Sequence, residues 1–305
     1  MKVLSLFDGI SCGRVALERC GFNVESYDAY EIEKDSIKIS LKNYPDINQH
    51  GSVVDADFTQ YKGYDLLIGG SPCFGFSMAG QRLAFDDPRS ALFFEFVRAL
   101  KESCPKYFLL ENVKMKKEHE KVISEYLGVE PILINSNLVS AQNRQRLYWT
   151  NIPNVTQPED RGILLKDIIT PDKGSFPLSV THLNAFLKSY PSWKESPLEG
   201  KSKPILASYY RQPPYCPYIK CEFTESGYRR LTPVECERLQ NLPDNYTEGV
   251  SNSSRIKAIG NGWTVDVISH ILKILKSNLC TVLQKKTEVH FHIGLHTGVH
   301  FRWWR

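Results

Sequence analysis

The chain has 305 residues, 42% of them hydrophobic, and a formal net charge of +4. That length supports one large core and a smaller domain, the mild charge permits a nucleic-acid partner without requiring one, and no apolar run approaches the roughly 20 residues that span a bilayer. The eight cysteines have no repeated spacing and no secretory segment opens the chain, which argues against a disulfide framework, a zinc cluster or secretion and for a reduced, cytosolic setting.

In chain order, "KVLSLFDGISCGRVALERCGF" reads as a buried strand from Val3 to Phe7, a glycine-containing turn, and a helix from about Gly13 to Cys20 that stops at Gly21. A second strand is expected from Val24 to Tyr30, ending in Glu31, with a helix from Lys34 to Leu41. The alternation continues: "YDLLIGG" as strand, "SALFFEFVRALKES" as helix, "KYFLLENV" as strand, "EHEKVISEYLG" as helix, then "EPILINSNLV" and "QRLYWTNI" as strands. Such alternation predicts a doubly wound sheet. After Pro153 the chain turns rich in Pro, Ser, Tyr and Lys without a long helical period, which predicts a small irregular domain to about Arg230. Helical patterning returns at "LTPVECERLQNL" and "VDVISHILKILKS", and the tail from 281, with "VHFHIGLHTGVHFRWWR", joins neither pattern.

The strand ends carry the chemistry. In open α/β sheets ligands gather at the carboxyl ends of the strands. Asp8, Gly9 and Gly13 lie between the first strand and its helix, where the backbone can approach a ligand. Glu31 ends the second strand and can accept both hydroxyls of a ribose, with Asp28 as the alternative. The turn lacks the GxGxxG spacing of a nicotinamide site, which favours a different adenosine-containing cofactor. "GGSPCFGFS" places Cys73 on the loop after the third of these strands, and "KYFLLENV" ends at the same edge with Glu111 and Asn112. A thiol and a carboxylic acid are thereby offered to one pocket. Taken singly, Cys73 reads equally as a small core residue and Glu111 as a helix cap.

The ordered set "FDGISCG", "GSPCFGFS", "ENV", "QNRQR" and "GNGWTVDV", from residue 7 to residue 267, resembles the C5-cytosine DNA methyltransferase family, with local likeness to its animal de novo branch. The resemblance implies an α/β fold of Rossmann-like methyltransferase type with a mixed, mostly parallel sheet: a catalytic and cofactor-binding domain over 1–152, a target-recognition domain over 153–230, and a return segment over 231–280. It implies Cys73 as the nucleophile that adds to C6 of cytosine, Glu111 as the group that meets N3, Arg146 at O2 and Arg144 more peripherally. S-adenosylmethionine is the implied cofactor, with Phe7, Asp8, Gly9, Gly13, Glu31, Ile32, Pro72, Leu92, Asn261 and Trp263 around it and no metal. Where many relatives carry an aspartate for the adenine, this chain has Ser52, with Asp55 and Asp57 nearby.

The implied partner is double-stranded DNA with its target base flipped out, with a cognate restriction nuclease as a further partner. The setting is cytoplasmic if the host is bacterial or a phage and nuclear if eukaryotic. Transfer to tRNA, as in one branch of the family, and a non-catalytic DNA-binding relative are the alternatives. In the middle region Trp193, Lys194, Lys201, Lys203, Tyr209, Tyr210 and Arg211 are candidates for nucleic-acid contact, and equally read as ordinary surface residues. Arg238 reads either as a brace or as a phosphate ligand.

Overall fold

The computed structural model describes residues 1–72, 91–171, 174–211 and 217–296, with the backbone alone for Arg211 and for 281–296. Strand β1 (Lys2–Leu6) is followed by α1 (Cys12–Arg19), β2 (Ser26–Tyr30), α2 (Lys34–Asn43), the short β3 (Asn48–Gln49) and β4 (Leu66–Gly69). After the stretch 73–90 come α3 (Ala91–Ser103), β5 (Tyr107–Val113), α4 (Lys117–Leu127), β6 (Ile132–Asn135) and β7 (Gln145–Thr150). The sheet order is β3-β2-β1-β4-β5-β7-β6. All neighbours are parallel except at β7, which runs antiparallel to both β5 and β6. This is the mixed, largely parallel α/β sheet expected.

Burial on both faces explains why the inner strands read as continuous apolar runs. In β1, Val3 joins one core cluster while Leu4 and Leu6 join the other. The first layer is closed by α1 and by α9 (Val265–His296), whose Val265, Val267, Ile268, Ile271, Leu272 and Leu275 are fully buried. The opposite layer is closed by α3 through Phe93, Phe96 and Val97. Helix α9 therefore completes the sheet from the far end of the chain. Its backbone continues past Cys280 to His296, so the tail joins the helix through that point, contrary to the sequence reading.

Segment 153–230 contains α5 (Leu165–Ile168), α6 (Val180–Ser189) and the two-stranded pair β8 (Ile219–Lys220) and β9 (Tyr228–Arg229). Its apolar residues, among them Leu178, Leu183, Phe186, Ile205, Tyr209 and Tyr218, share a third cluster with α7 (Pro233–Leu239) and α8 (Asn252–Asn261). The ten-residue α6 was not visible as a helical period. Its start is fixed by the Ser179 side chain, which accepts a hydrogen bond from His182 N. The expected strand "EPILINSNLV" is shorter than read. β6 stops at Asn135, whose side-chain oxygen accepts from Asn137 N and Arg144 N and turns the chain into a 3-10 helix over Ser136–Leu138.

Among the described residues no helix is long and apolar enough to cross a membrane, and no group of three or more His, Cys, Asp or Glu side chains could hold a metal ion.

Candidate active site

The turn after β1 is built around a buried carboxylate. Asp8 accepts hydrogen bonds from Ser5 Oγ (2.6 Å), Ser11 Oγ (2.5 Å) and Tyr27 OH (2.7 Å). Burial pushes its carboxyl above the ordinary range, outweighing those donors, and the nearby Glu31 charge adds to the rise. Phe7, Gly9 and Ser11 all have positive φ (57°, 59° and 59°), so two side-chain-bearing residues sit in a conformation that costs energy to hold. The hydroxyls of Ser5 and Ser11 lock them through Asp8. Tyr27 was not singled out from sequence; the alternation of β2 was the available signal.

Glu31 stands at the end of β2, parallel to β1. Its Oε2 accepts from Gly9 N (2.8 Å), and its Oε1 accepts from Ile32 N (2.8 Å) and Glu33 N (2.8 Å). Three backbone donors thus fix the carboxylate directly beside the turn, with one lone-pair site, on Oε2, left for a ribose hydroxyl. Ile32 is 69% exposed, an apolar face awaiting a partner. These residues fit an adenosine-containing ligand: a pre-aimed acceptor for the ribose, an uncovered aliphatic side chain for the base, and a tight backbone turn. Asp28 is committed elsewhere, accepting from Tyr64 OH, Ser26 Oγ and His50 Nε2 within a cluster of aromatic rings, and so does not share the Glu31 site. Ser52 is exposed and accepts from Val54 N (3.1 Å), while Asp57 caps a 3-10 helix through Thr59. Asp57 is therefore occupied as a cap.

At the end of β5, Glu111 Oε1 is 2.9 Å from Arg146 Nε and its Oε2 accepts from Trp263 Nε1 at 3.0 Å. The pairing explains the first contact: β7 runs antiparallel to β5 with Arg146 opposite Val113 and Tyr148 opposite Glu111. Gly70 permits the second, because a Cβ there would lie 2.8 Å from Trp263 Nε1 and 3.2 Å from Glu111 Oε2. Asn112 is buried and donates to Ser71 O (3.3 Å) and Ser71 Oγ (3.2 Å), tying β5 to the backbone that leads through Pro72 to Cys73. Cys73 itself lies outside the described residues. Leu92 lies half-buried against the second core cluster, and Asn261 is exposed at the end of α8.

Arg144 takes a different place from Arg146. It is 4% exposed and donates to Ile205 O (2.9 Å), Gly260 O (3.0 Å) and Gly262 O (3.1 Å). Burial and the Arg146 charge lower its pKa to about 9. It braces the turn before Trp263. Gln240 adds to that brace, donating to Ile259 O and Gly262 O and accepting from Thr264 Oγ1 and Gln142 Nε2. Cys12 lies beneath, its thiol pushed up to about 12 by burial. Gly260 touches the small segment so closely that a Cβ would fall 2.2 Å from Ala207 N and 2.3 Å from Leu206 C.

In segment 153–230, Lys201 is an internal tie, its amine donating to Asn137 O, Ser140 O and Ile163 O, and Tyr209 is fully buried, donating to Pro217 O and accepting from Leu231 N. Neither is placed for phosphate. Arg238 is a brace as well, bidentate to Asp244 and bonded to Ile168 O. Trp193 and Lys194 line a cavity of about 540 Å³ with Leu187, Glu195, Pro197 and Tyr228, and Lys203 lies over the Trp193 ring. That cavity contains none of the Glu111 group. The Arg211 side chain is outside the described set.

The profile of the C-5 cytosine-specific DNA methylase family matches residues 1–196 and 182–277. The type II methyltransferase M1.ScrFI of Lactococcus lactis subsp. cremoris is 30% identical over 94% of this chain and 80% of its own length. Among solved structures, the Dnmt2 methyltransferase of S. pombe matches 92% of this chain and 99% of its own with a TM-score of 0.75 at 19% identity. A DNMT2 mutant of Spodoptera frugiperda matches 90% and 99% with a TM-score of 0.72 at 22% identity. These structural likenesses are of fold, and being Dnmt2-type they do not carry the narrower likeness to the animal de novo branch. From its family profile and its relative together, the chain belongs to the C-5 cytosine-specific DNA methylases.

Proposed function

We propose that the chain transfers a methyl group from S-adenosylmethionine to C5 of a cytosine in a polynucleotide. The observation that carries this is Glu111, held at the carboxyl edge of the sheet between Arg146 and Trp263, one strand away from the backbone leading into Cys73. Glu31 and the Phe7–Ser11 turn would hold the cofactor, which supplies an electrophilic methyl when bound. The Cys73 thiolate adds to C6, a bond forming between sulfur and carbon while the C5–C6 double bond gives its electrons toward the ring. Glu111 offers a proton at N3, and Arg146 stabilises the charge at O2. After methylation a base takes the C5 proton and the sulfur–carbon bond breaks, returning the thiol. The base must leave its stack to reach these groups.

Duplex DNA as the polynucleotide is supported by the family description and by the likeness to a type II methyltransferase. Transfer to tRNA is the better supported reading on shape, since Dnmt2-type structures correspond to this chain over almost their whole length. The deciding experiment incubates the chain with labelled cofactor and either duplex DNA or tRNA and maps 5-methylcytosine at base resolution. Faster transfer to DNA supports the first reading, faster transfer to tRNA the second, and none to either overturns both. Cys73→Ala is expected to abolish transfer while retaining cofactor binding, and substantial turnover by that variant removes the nucleophile assignment.

A further inference from the structure

The family resemblance implies Trp263 as part of the cofactor wall, yet its indole N–H faces Glu111. We propose that Trp263 is a positioning residue for Glu111: it fixes one carboxylate oxygen while Arg146 is handed from the other oxygen to the incoming base. The inference rests on the reading that Glu111 is the group that meets cytosine N3.

Glu111 is bound at both ends. Arg146 Nε sits 2.9 Å from Oε1, and Trp263 Nε1 donates to Oε2 at 3.0 Å. Transfer to N3 needs a proton on that carboxyl and an oxygen free to carry it, whereas Arg146 occupies Oε1. Entry of a base draws Arg146 toward O2 and takes the cation from Oε1. A proton from solvent then adds to Oε1 and passes to N3, returns to Glu111 when the adduct collapses, and leaves to solvent as Arg146 moves back to Oε1. During the exchange Glu111 keeps one named partner, the neutral indole donor. Without it, a carboxyl released by Arg146 is free to rotate away from the base.

The surroundings of Trp263 are built to hold that donor still. Gly262 O accepts from both Arg144 and Gln240, and Thr264 Oγ1 lies between Ser136 Oγ (2.9 Å) and Gln240 Oε1 (2.8 Å). Anchors on both neighbours fix the backbone from which the Trp263 ring projects. Gly70 supplies the remaining condition, the space in which the indole nitrogen reaches the carboxylate. A tryptophan merely walling a cofactor would need no such approach to Glu111.

The test is a mutant cycle read in two ways: steady-state transfer, and the rate of covalent trapping by a substrate carrying 5-fluorocytosine. Trp263→Phe keeps the ring and removes the N–H; it is expected to slow both by ~10- to 100-fold, the range of a lost hydrogen bond to a charged group, with cofactor affinity by calorimetry within about threefold. Gly70→Ala, which displaces the indole, is expected to slow both similarly. In a Glu111→Gln background, Trp263→Phe is expected to cost almost nothing further, because the two act as one unit. Unchanged rates in Trp263→Phe, or a full multiplicative loss on top of Glu111→Gln, overturn the inference and leave the proposed function standing. Wild-type turnover by Glu111→Gln removes the role of Glu111 and with it both readings.

Discussion

Replacing Glu235 by glutamine attacks the most enclosed ion pair among the described residues. The side chains of Arg229 and Glu235 are 3% and 0% exposed. Arg229 NH1 and NH2 each donate at 2.8 Å, one to either carboxylate oxygen, and Thr170 N, Thr170 Oγ1 and Thr232 N donate to the same two oxygens. In Glu235→Gln one oxygen becomes an NH₂ group, which opposes donors with a donor and leaves the guanidinium buried without its counter-charge. Breaking a buried pair in this way costs about 3–5 kcal/mol. With an unfolding entropy of roughly 2.1 cal/mol/K per residue over 305 residues, the melting temperature falls by about 5–8 °C. Differential scanning calorimetry on wild type, Glu235→Gln, and the double variant Arg229→Met with Glu235→Leu measures it. The double variant removes both charges and is expected to recover part of the loss, since an apolar pair of similar volume avoids the desolvation penalty while Thr170 N and Thr232 N lose their acceptor. A Glu235→Gln melting temperature within about 1 °C of wild type, or a double variant less stable than the single, would refute the reasoning.

Glu31→Ala removes the acceptor that Gly9, Ile32 and Glu33 hold in place, and is expected to weaken S-adenosylmethionine binding by more than tenfold, about 1.4 kcal/mol, in a calorimetric titration. Burial alone would raise the Asp28 carboxyl, but donors from Tyr64, Ser26, His50 and Asn48 hold it below its ordinary value of 3.8. The folded chain therefore binds this proton less readily than the unfolded one, so the stability advantage over Asp28→Asn is full above about pH 4 and shrinks as pH falls through the lowered folded value. Urea titrations of both proteins between about pH 5 and pH 2 read that difference, and an advantage that grows on acidification reverses the assignment. Lys201→Met is expected to lower stability by about 1–3 kcal/mol through three carbonyls left unpaired while the slope of log affinity against log salt on random duplex stays unchanged.

The catalytic half was legible because each inner strand is buried on both faces and announces itself as an apolar run stopped by a turn. "DLLIGG" and "YFLLENV" need no partner to be read as strands, and their ends name Cys73 and Glu111. What local pattern could not supply is pairing. Arg146 meets Glu111 because β7 is reversed between β5 and β6, and nothing in "QNRQR" encodes direction. Arg144 stands just before β7 begins, where its guanidinium turns inward to carbonyls 205, 260 and 262, a placement no local pattern encodes. Lysines are read as surface by default, and Lys201 is an exception set by the chain path around Asn137, Ser140 and Ile163. Helix α6 was missed because only Leu183 and Phe186 of its ten residues are buried, too few to show a period. Ser52 is exposed and its hydroxyl accepts from Val54 N, while Asp57, offered as a substitute, is engaged in capping its own helix.

Gly260 has a consequence for how such a chain can vary under selection. Its carbonyl accepts from Arg144 and Asn261 follows it, yet the backbone at Leu206 and Ala207 is what occupies the space of any side chain it could gain. In a saturation library scored by function, this position should tolerate substitution as poorly as Glu111, for steric reasons alone. A profile of tolerance would therefore mark the joint between α8 and the small segment as strongly as it marks the chemistry. Grafting a foreign recognition segment onto this sheet carries the same condition: whatever replaces 153–230 must bring a strand of backbone that runs past Gly260 at the same depth. Otherwise the Arg144 bonds to residues 205, 260 and 262 come apart together.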